Sequence, residues 1–162
     1  MAIKCSFMPI VDLSSRYLIL GSLPGDLSLE KQEYYGHPQN RFWRLLGMIF
    51  QEDIMLEYAD KKRFLLKHNI AVWDVCGTAF RVGSMDTAIQ EVVPNAIPDL
   101  LKQYPGIEHV LFNGKKAMHL YDRFFERIDG IQYHELPSTS PANAAYNLEK
   151  LNSYWSKAFG FH

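Results

Sequence analysis

Adjacent tyrosines, a His-Pro pair and an asparagine crowd into one stretch, Gly21 to Trp43, GSLPGDLSLEKQEYYGHPQNRFW. Tyr34 and Tyr35 offer flat faces on which a planar ring can stack, as every nucleobase can. Asn40 offers an amide that orients water or a substrate but cannot act as a general base. Such a group suits a reaction whose transition state is made mostly by bond breaking. Each feature also has a packing explanation. The tyrosines can pack on the first helix, and Asn is a preferred N-cap where a helix starts. Spacing alone favours the cap for Asn40 and leaves the tyrosines evenly balanced. His37 is the only one of six histidines in a suggestive loop.

Three further clusters have two readings each. Asn113 can cap the helix that begins near Gly114, but Lys115 and Lys116 then sit in its first turn. Cations there are disfavoured by about 0.3–1 kcal/mol, and a phosphate docked at that helix end offsets the penalty. The competing reading, slightly favoured, points both lysines into water. Ser138-Thr139-Ser140-Pro141 is a strong helix start, with Ser140 capping and Pro141 at the first position. Its three hydroxyls also make a stiff, uncharged wall able to hydrogen-bond phosphates. Asp74, Arg81, Ser84 and Asp86 read as structural first: Asp86 caps Thr87–Val92, and Arg81 pairs with a carboxylate.

Several chemistries lack their residues. GSLPGD is neither a GxGxxG fingerprint nor a Walker loop, no Gly-x-Ser-x-Gly elbow occurs, and no His/Cys/Asp/Glu cluster has metal spacing. No cofactor and no metal are therefore expected. Cys5 and Cys76 show no metal spacing and read as reduced thiols of a cytosolic protein. The net charge of −1 gives no general electrostatic reason for a nucleic-acid partner, so any positive footprint must be local. Arg41, Arg44, Lys115 and Lys116 are the candidates. No secretory pattern and no membrane-length apolar run appear. A cytoplasmic (intracellular) protein with no membrane partner, acting as a monomer, is expected.

The elements that must position these residues alternate. Strands are expected at about 17–21, 70–73, 109–112 and 131–136. Between them come a short turn with Ser28 as its cap, a helix after Asn40 with Phe42, Leu45, Leu46, Ile49 and Phe50 inward, and a helix over 55–68 burying Leu56. A weaker helix covers Ile97–Leu101, another runs from Gly114 with Phe124 and Ile128 on its apolar face, and a last one ends at Gly160. Residues 1–16 form an edge segment, and the stretch from Asp74 to Asp86 reads as a loop. Alternation of this kind predicts one α/β domain over residues 1–162, three layers α/β/α around a four-stranded parallel sheet. The odd loops all follow strands, so they gather at one sheet edge, where open α/β sheets place their sites.

Taken together, LGSLPGDLS, YYGHPQNRFW, RVGSMD, FNGKKA and LPSTSPANAA resemble the uracil-DNA glycosylase superfamily, most closely its hypoxanthine-DNA (deoxyinosine) glycosylase branch. The resemblance covers nearly the whole chain, and HPQNRFW is its specific part. It implies a uracil-DNA glycosylase-like fold and a monofunctional DNA glycosylase of base-excision repair, acting on DNA that contains deaminated bases. The bond hydrolysed is the N-glycosidic bond of a flipped base, most closely hypoxanthine, leaving an abasic site. It implies a catalytic role for Asn40, base contacts from Tyr35 (stacking), Asn113 and the backbone around Ser22 and Leu23, and DNA contacts from Ser138, Thr139, Ser140, Lys115 and Lys116. Leu23 and Leu136 depart from the pattern, since members that excise uracil efficiently carry polar groups there. Uracil or xanthine excision, and a non-catalytic DNA-binding homologue, are the alternatives.

Overall fold

The computed structural model describes residues 3–54 and 57–161. In chain order the elements are β1 (Ile3–Cys5), β2 (Tyr17–Gly21), α1 (Asp26–Lys31), α2 (Phe42–Phe50), α3 (Tyr58–Lys67), β3 (Ile70–Asp74), β4 (Cys76–Phe80), β5 (Gln90–Pro94), α4 (Ile97–Gln103), β6 (His109–Asn113), α5 (Lys115–Phe124), β7 (Gln132–Leu136) and α6 (Leu148–Ala158). The expected parallel sheet is present, in the order β3-β2-β6-β7.

Successive strand residues point to opposite faces, and the two cores divide accordingly. Ile19, Val72 and Leu111 face one core with Phe42, Leu45 and Trp155. Leu18, Leu20, Ala71, Val110 and Phe112 face the other with Ile97, Leu100, Ala117 and Leu120. Helices α2, α3 and α6 therefore cover one face, and α4 and α5 the other. All four strands run the same way, so Gly21, Asp74, Asn113 and Leu136 end at one edge.

Several local expectations give way to tertiary context. The stretch after Asp74 is not all loop: β4 pairs with β1 and β5 in an antiparallel sheet of three strands. Its Gly77, Gly83 and Ser84 disguise it, and the register between β4 and β5 shifts twice. Only part of residues 1–16 is an edge segment, with β1 in the small sheet and Ile10 bridging Val72 beside β3. Helix α6 starts at Leu148 rather than at Pro141, and its cap is Asn147, whose side chain accepts from Lys150 N–H at 2.8 Å. Helix α5 stops at Phe124, leaving Ile128 outside it and over a third exposed. Helix α3 starts at Tyr58, and the expected inward Leu56 lies outside the described residues. Ser28 lies within α1, where its hydroxyl accepts from Gly36 N–H at 2.8 Å instead of capping. Cys5 is exposed and Cys76 buried, both free. No helix among the described residues is long and apolar enough to cross a membrane.

Candidate active site

The turn after β2 is the centre of the edge. Gly21 pairs with Asp74 across the sheet, and a Cβ at Gly21 would lie 2.6 Å from Asp74 Oδ1 and 3.2 Å from the Tyr35 hydroxyl. Only a glycine leaves room for these two oxygens to meet over the backbone. Asp74 is buried, with Oδ2 accepting from Ser6 Oγ at 2.7 Å. Burial pushes its carboxyl up to about 7, with the nearby Asp86 adding to the rise and Ser6 and Arg81 opposing it.

Tyr35 reaches this point from the far side. Its backbone adopts the left-handed conformation, φ 54°, uncommon for a bulky residue and held only where the surroundings fix it. One ring face is stacked on buried Phe42, with centroids 3.8 Å apart. Its hydroxyl is buried without a hydrogen-bond partner; the Asn113 amide lies beside it outside bonding geometry. Burial and the charge of Asp74 hold the phenol well above its ordinary value. Tyr34, by contrast, is a core residue whose hydroxyl donates to Met8 C=O at 2.9 Å.

Asn40 is half-buried at the start of α2. Its Oδ1 accepts from Phe42 N–H at 2.9 Å, an Asx turn leading into the helix; the N-cap of α2 is Arg41 and not Asn40 as expected, because the loop contacts of Arg41 set the helix start one residue later. The side chain is not sunk in hydrocarbon, and this one bond leaves Nδ2 and an Oδ1 lone pair for other partners. His37 Nδ1 accepts from Gln39 N–H, a turn contact.

The loop after β7 closes the other side. Asn113 Oδ1 accepts from Thr139 N–H at 3.0 Å, and Nδ2 donates to Thr139 Oγ1 at 3.1 Å. Thr139 is fully buried, so its hydroxyl is committed to the protein and does not face outward. Ser138 and Ser140 are half-buried, with Ser140 N–H donating to Ser138 Oγ. Gly114, φ 98°, lets this loop approach: a Cβ there would stand 3.1 Å from Ser138 Cβ. Arg41 also turns inward. Its guanidinium donates to the carbonyls of Ser140 (2.6 Å), Asn143 (3.2 Å) and Tyr146, and its N–H to Thr139 C=O at 3.1 Å. Arg41 is thus a clamp on the loop rather than part of an outward cationic footprint. Arg44 and Lys115 are exposed and Lys116 half-buried, and none of the three forms an ion pair among the described residues.

Leu23 and Leu136 are packed into the two cores. The Ser22 hydroxyl donates to Asp86 at 2.6 Å, so Asp86 braces the first turn and does not cap the following segment. Arg81 is fully buried and donates to the carbonyls of Gly83 and Pro24 rather than forming an ion pair. Two surface clefts, one around Phe7, Met8 and Tyr58 and one around Tyr17, Phe50 and Phe159, hold none of the expected site residues beyond Tyr34, which lines the first.

The edge therefore gathers Tyr35, Asp74 and Asn113 over Gly21, with Asn40 joined to them through Phe42 and the Ser138–Ser140 loop through Thr139. The model of the uracil DNA glycosylase superfamily matches residues 8–159. The chain belongs to that superfamily. Among similar superfamily proteins, a hypoxanthine DNA glycosylase of Methanosarcina barkeri (strain Fusaro) is 41% identical over 157 residues, 96% of this chain and 98% of its own. A hypoxanthine DNA glycosylase of Methanosarcina acetivorans is 38% identical over 158 residues, 97% and 98% of the two chains. A solution NMR structure of a Methanosarcina acetivorans protein, assigned by name to the uracil DNA glycosylases, superposes with a TM-score of 0.85 at 37% identity, covering 97% of this chain and 96% of that one. Asp74, read from the sequence as structural first, stands at the centre of this edge. The available signal was its place at the end of a parallel strand, the same rule that singled out Gly21 and Asn113.

Proposed function

We propose that this protein is a monofunctional DNA glycosylase that releases hypoxanthine from deoxyinosine in DNA and leaves an abasic site. The observation that carries the reading is the near end-to-end similarity to two proteins named hypoxanthine DNA glycosylase, in a chain whose sheet edge juxtaposes an aromatic ring, a carboxyl group and amides. The buried Leu23 and Leu136 favour hypoxanthine over uracil, since neither position offers a polar group.

The target nucleotide leaves the duplex, because its sugar carbon is unreachable in the stack. The base lies on the Tyr35 face turned away from Phe42. The C1′–N9 bond breaks, its electron pair leaving with the purine, which then takes up a proton. Water adds to C1′ and gives up a proton, so no lysine nucleophile and no strand cleavage are needed. Asn40 places that water through Nδ2 and its spare lone pair. Asp74, protonated below about pH 7, donates from Oδ1 to O6 of the departing base. A carboxylic acid kept neutral by burial in this way stabilises developing negative charge. The same donor faces the amino group of adenine unfavourably, which separates the deaminated purine from its parent. Ser138, Ser140, Lys115 and Lys116 hold the flanking phosphates, while Thr139 and Asn113 fix the loop that carries the hydroxyls.

Single-turnover assays on duplexes bearing deoxyinosine, deoxyuridine or deoxyxanthosine test the reading. Free hypoxanthine and an alkali-labile site from the inosine duplex are expected. Release of uracil but not hypoxanthine overturns it.

A further inference from the structure

The loop Arg81–Asp86 belongs to none of the roles above, yet it is braced to the first turn at three points. Arg81 donates to Pro24 C=O, Ser84 Oγ accepts from Asp26 N–H at 2.9 Å, and Asp86 accepts from Ser22 Oγ. Lys4 Nζ also donates to Gly83 C=O at 2.6 Å. On this fixed support the tip exposes two apolar side chains, Val82 at 72% and Met85 at 57%. Two nearby aliphatic side chains held out on a braced turn add little to the core, and a partner that covers them meets a support already ordered.

We propose that this tip is a second DNA-contacting element, with Val82 and Met85 packing on the sugars and bases beside the extruded nucleotide. The inference rests on the DNA glycosylase reading above. Topology supplies the first argument. Strands β3 and β7 are the two outer strands of the parallel sheet. The loop after β7 carries Ser138 and Ser140, and the chain beyond β3 carries Val82 and Met85. A duplex laid across this edge over Gly21 meets both. Charge supplies the second. The exposed tip, Val82-Gly83-Ser84-Met85, has no carboxylate, and Asp26 beside it is paired with Lys4. The buried Arg81 guanidinium lies beneath it and offsets the Asp86 carboxylate, so the tip sets no net negative charge against a phosphate backbone. Apolar wedges beside base steps are a known way to hold a distorted duplex.

The test uses fluorescence anisotropy on duplex and single-stranded oligonucleotides with an abasic-site analogue. Val82→Ser/Met85→Ser is expected to bind the duplex about tenfold more weakly and the single strand within twofold of wild type. Val82→Arg adds a cation at the tip and is expected to bind the duplex more tightly, its log–log salt slope steeper by about 0.9; a misfolded variant cannot mimic that gain. Unchanged duplex binding in both variants overturns the proposal, as does a concentration-dependent dimer that Val82→Ser/Met85→Ser dissociates, since a second copy then covers the tip. If wild type binds with these dependences but releases no hypoxanthine, the glycosylase reading fails and the DNA contact stands.

Discussion

Asn113 closes on Thr139 with both ends of its amide, accepting from the backbone N–H and donating to the hydroxyl. The pair joins the end of β6 to the loop after β7 in a place that water does not reach, both residues being buried. Asn113→Ala leaves those two Thr139 groups without partners. A loss of about 1–3 kcal/mol per unsatisfied buried group is expected from denaturant unfolding. Thr139→Val removes only the hydroxyl bond and is expected to cost less. An Asn113→Ala protein as stable as wild type contradicts the structural half of this residue's role.

Arg41 does for the outer part of the same loop what Asn113 does for the inner part. Burial lowers its guanidinium from the ordinary value, with Arg44 adding to the effect, yet three loop carbonyls beyond Thr139 depend on it. Arg41→Ala is expected to lower DNA affinity by loosening Ser138 and Ser140 while leaving the salt slope unchanged, because no phosphate contact is lost. A slope shallower by about one would mean that Arg41 touches phosphate after all.

How much of this was legible in the sequence follows from where the determining forces act. Strands β2, β3 and β6 were readable because each contains an apolar run buried on both faces, whereas the edge strand β7 is mostly polar, with only Leu136 buried. Helix α2 was readable from the spacing of Phe42, Leu45, Leu46 and Ile49. The small sheet was not, since β4 and β5 hold together through pairing with shifts in register, and Gly77 and Pro94 in them read as breakers. The start of α6 was misplaced because Ser140-Pro141 has the local chemistry of a helix cap, while Arg41, nearly a hundred residues away, holds those carbonyls in an irregular turn. Tyr35 and Asn40 stood out by type and spacing. Asp74 did not, because its elevated proton affinity comes from burial and from Asp86, neither of which a linear pattern displays.

Lys115 and Lys116 stand in the first turn of α5 without an ion pair among the described residues. If they meet DNA phosphates, replacing each by alanine reduces the log–log salt slope by about 0.9 and weakens binding alike across sequences. Stability is expected to stay level or rise slightly, since cations are removed from a helix N-terminus. Unaltered salt dependence in Lys115→Ala/Lys116→Ala would show that both lysines are only solvated.

Asn40 carries the turn that enters α2 and, in the proposed mechanism, a water. Asn40→Asp separates the two, because a carboxylate still accepts from Phe42 N–H but has no Nδ2 donor. Its thermal stability is expected near wild type, with single-turnover hypoxanthine release at least a hundredfold slower. Asn40→Ala loses the Phe42 hydrogen bond as well, about 1 kcal/mol of stability, and is equally slow. Normal release by either variant removes Asn40 from the chemistry and leaves it as a turn residue.

Asp74 couples activity and stability to pH in the same direction. Its folded-state value of about 7 lies above the ordinary value of about 3.9. Between these the folded protein keeps a proton that the unfolded chain has lost. The stabilisation is therefore complete below about pH 4 and is lost as pH rises through about 7. Because the neutral acid is also the proposed donor to O6, wild-type hypoxanthine release is expected to fall over the upper part of that range. Asp74→Asn keeps a donor that does not titrate, so both its release rate and this part of its stability should flatten with pH. Asp74→Leu has no donor and is expected to lose about 100-fold in rate, the scale for removing one such group. Rates measured from pH 5.5 to 8.5, beside denaturant unfolding at the same pH values, decide the matter: a wild-type rate that climbs through pH 7, or an Asp74→Asn profile as steep as wild type, assigns the titration to another group.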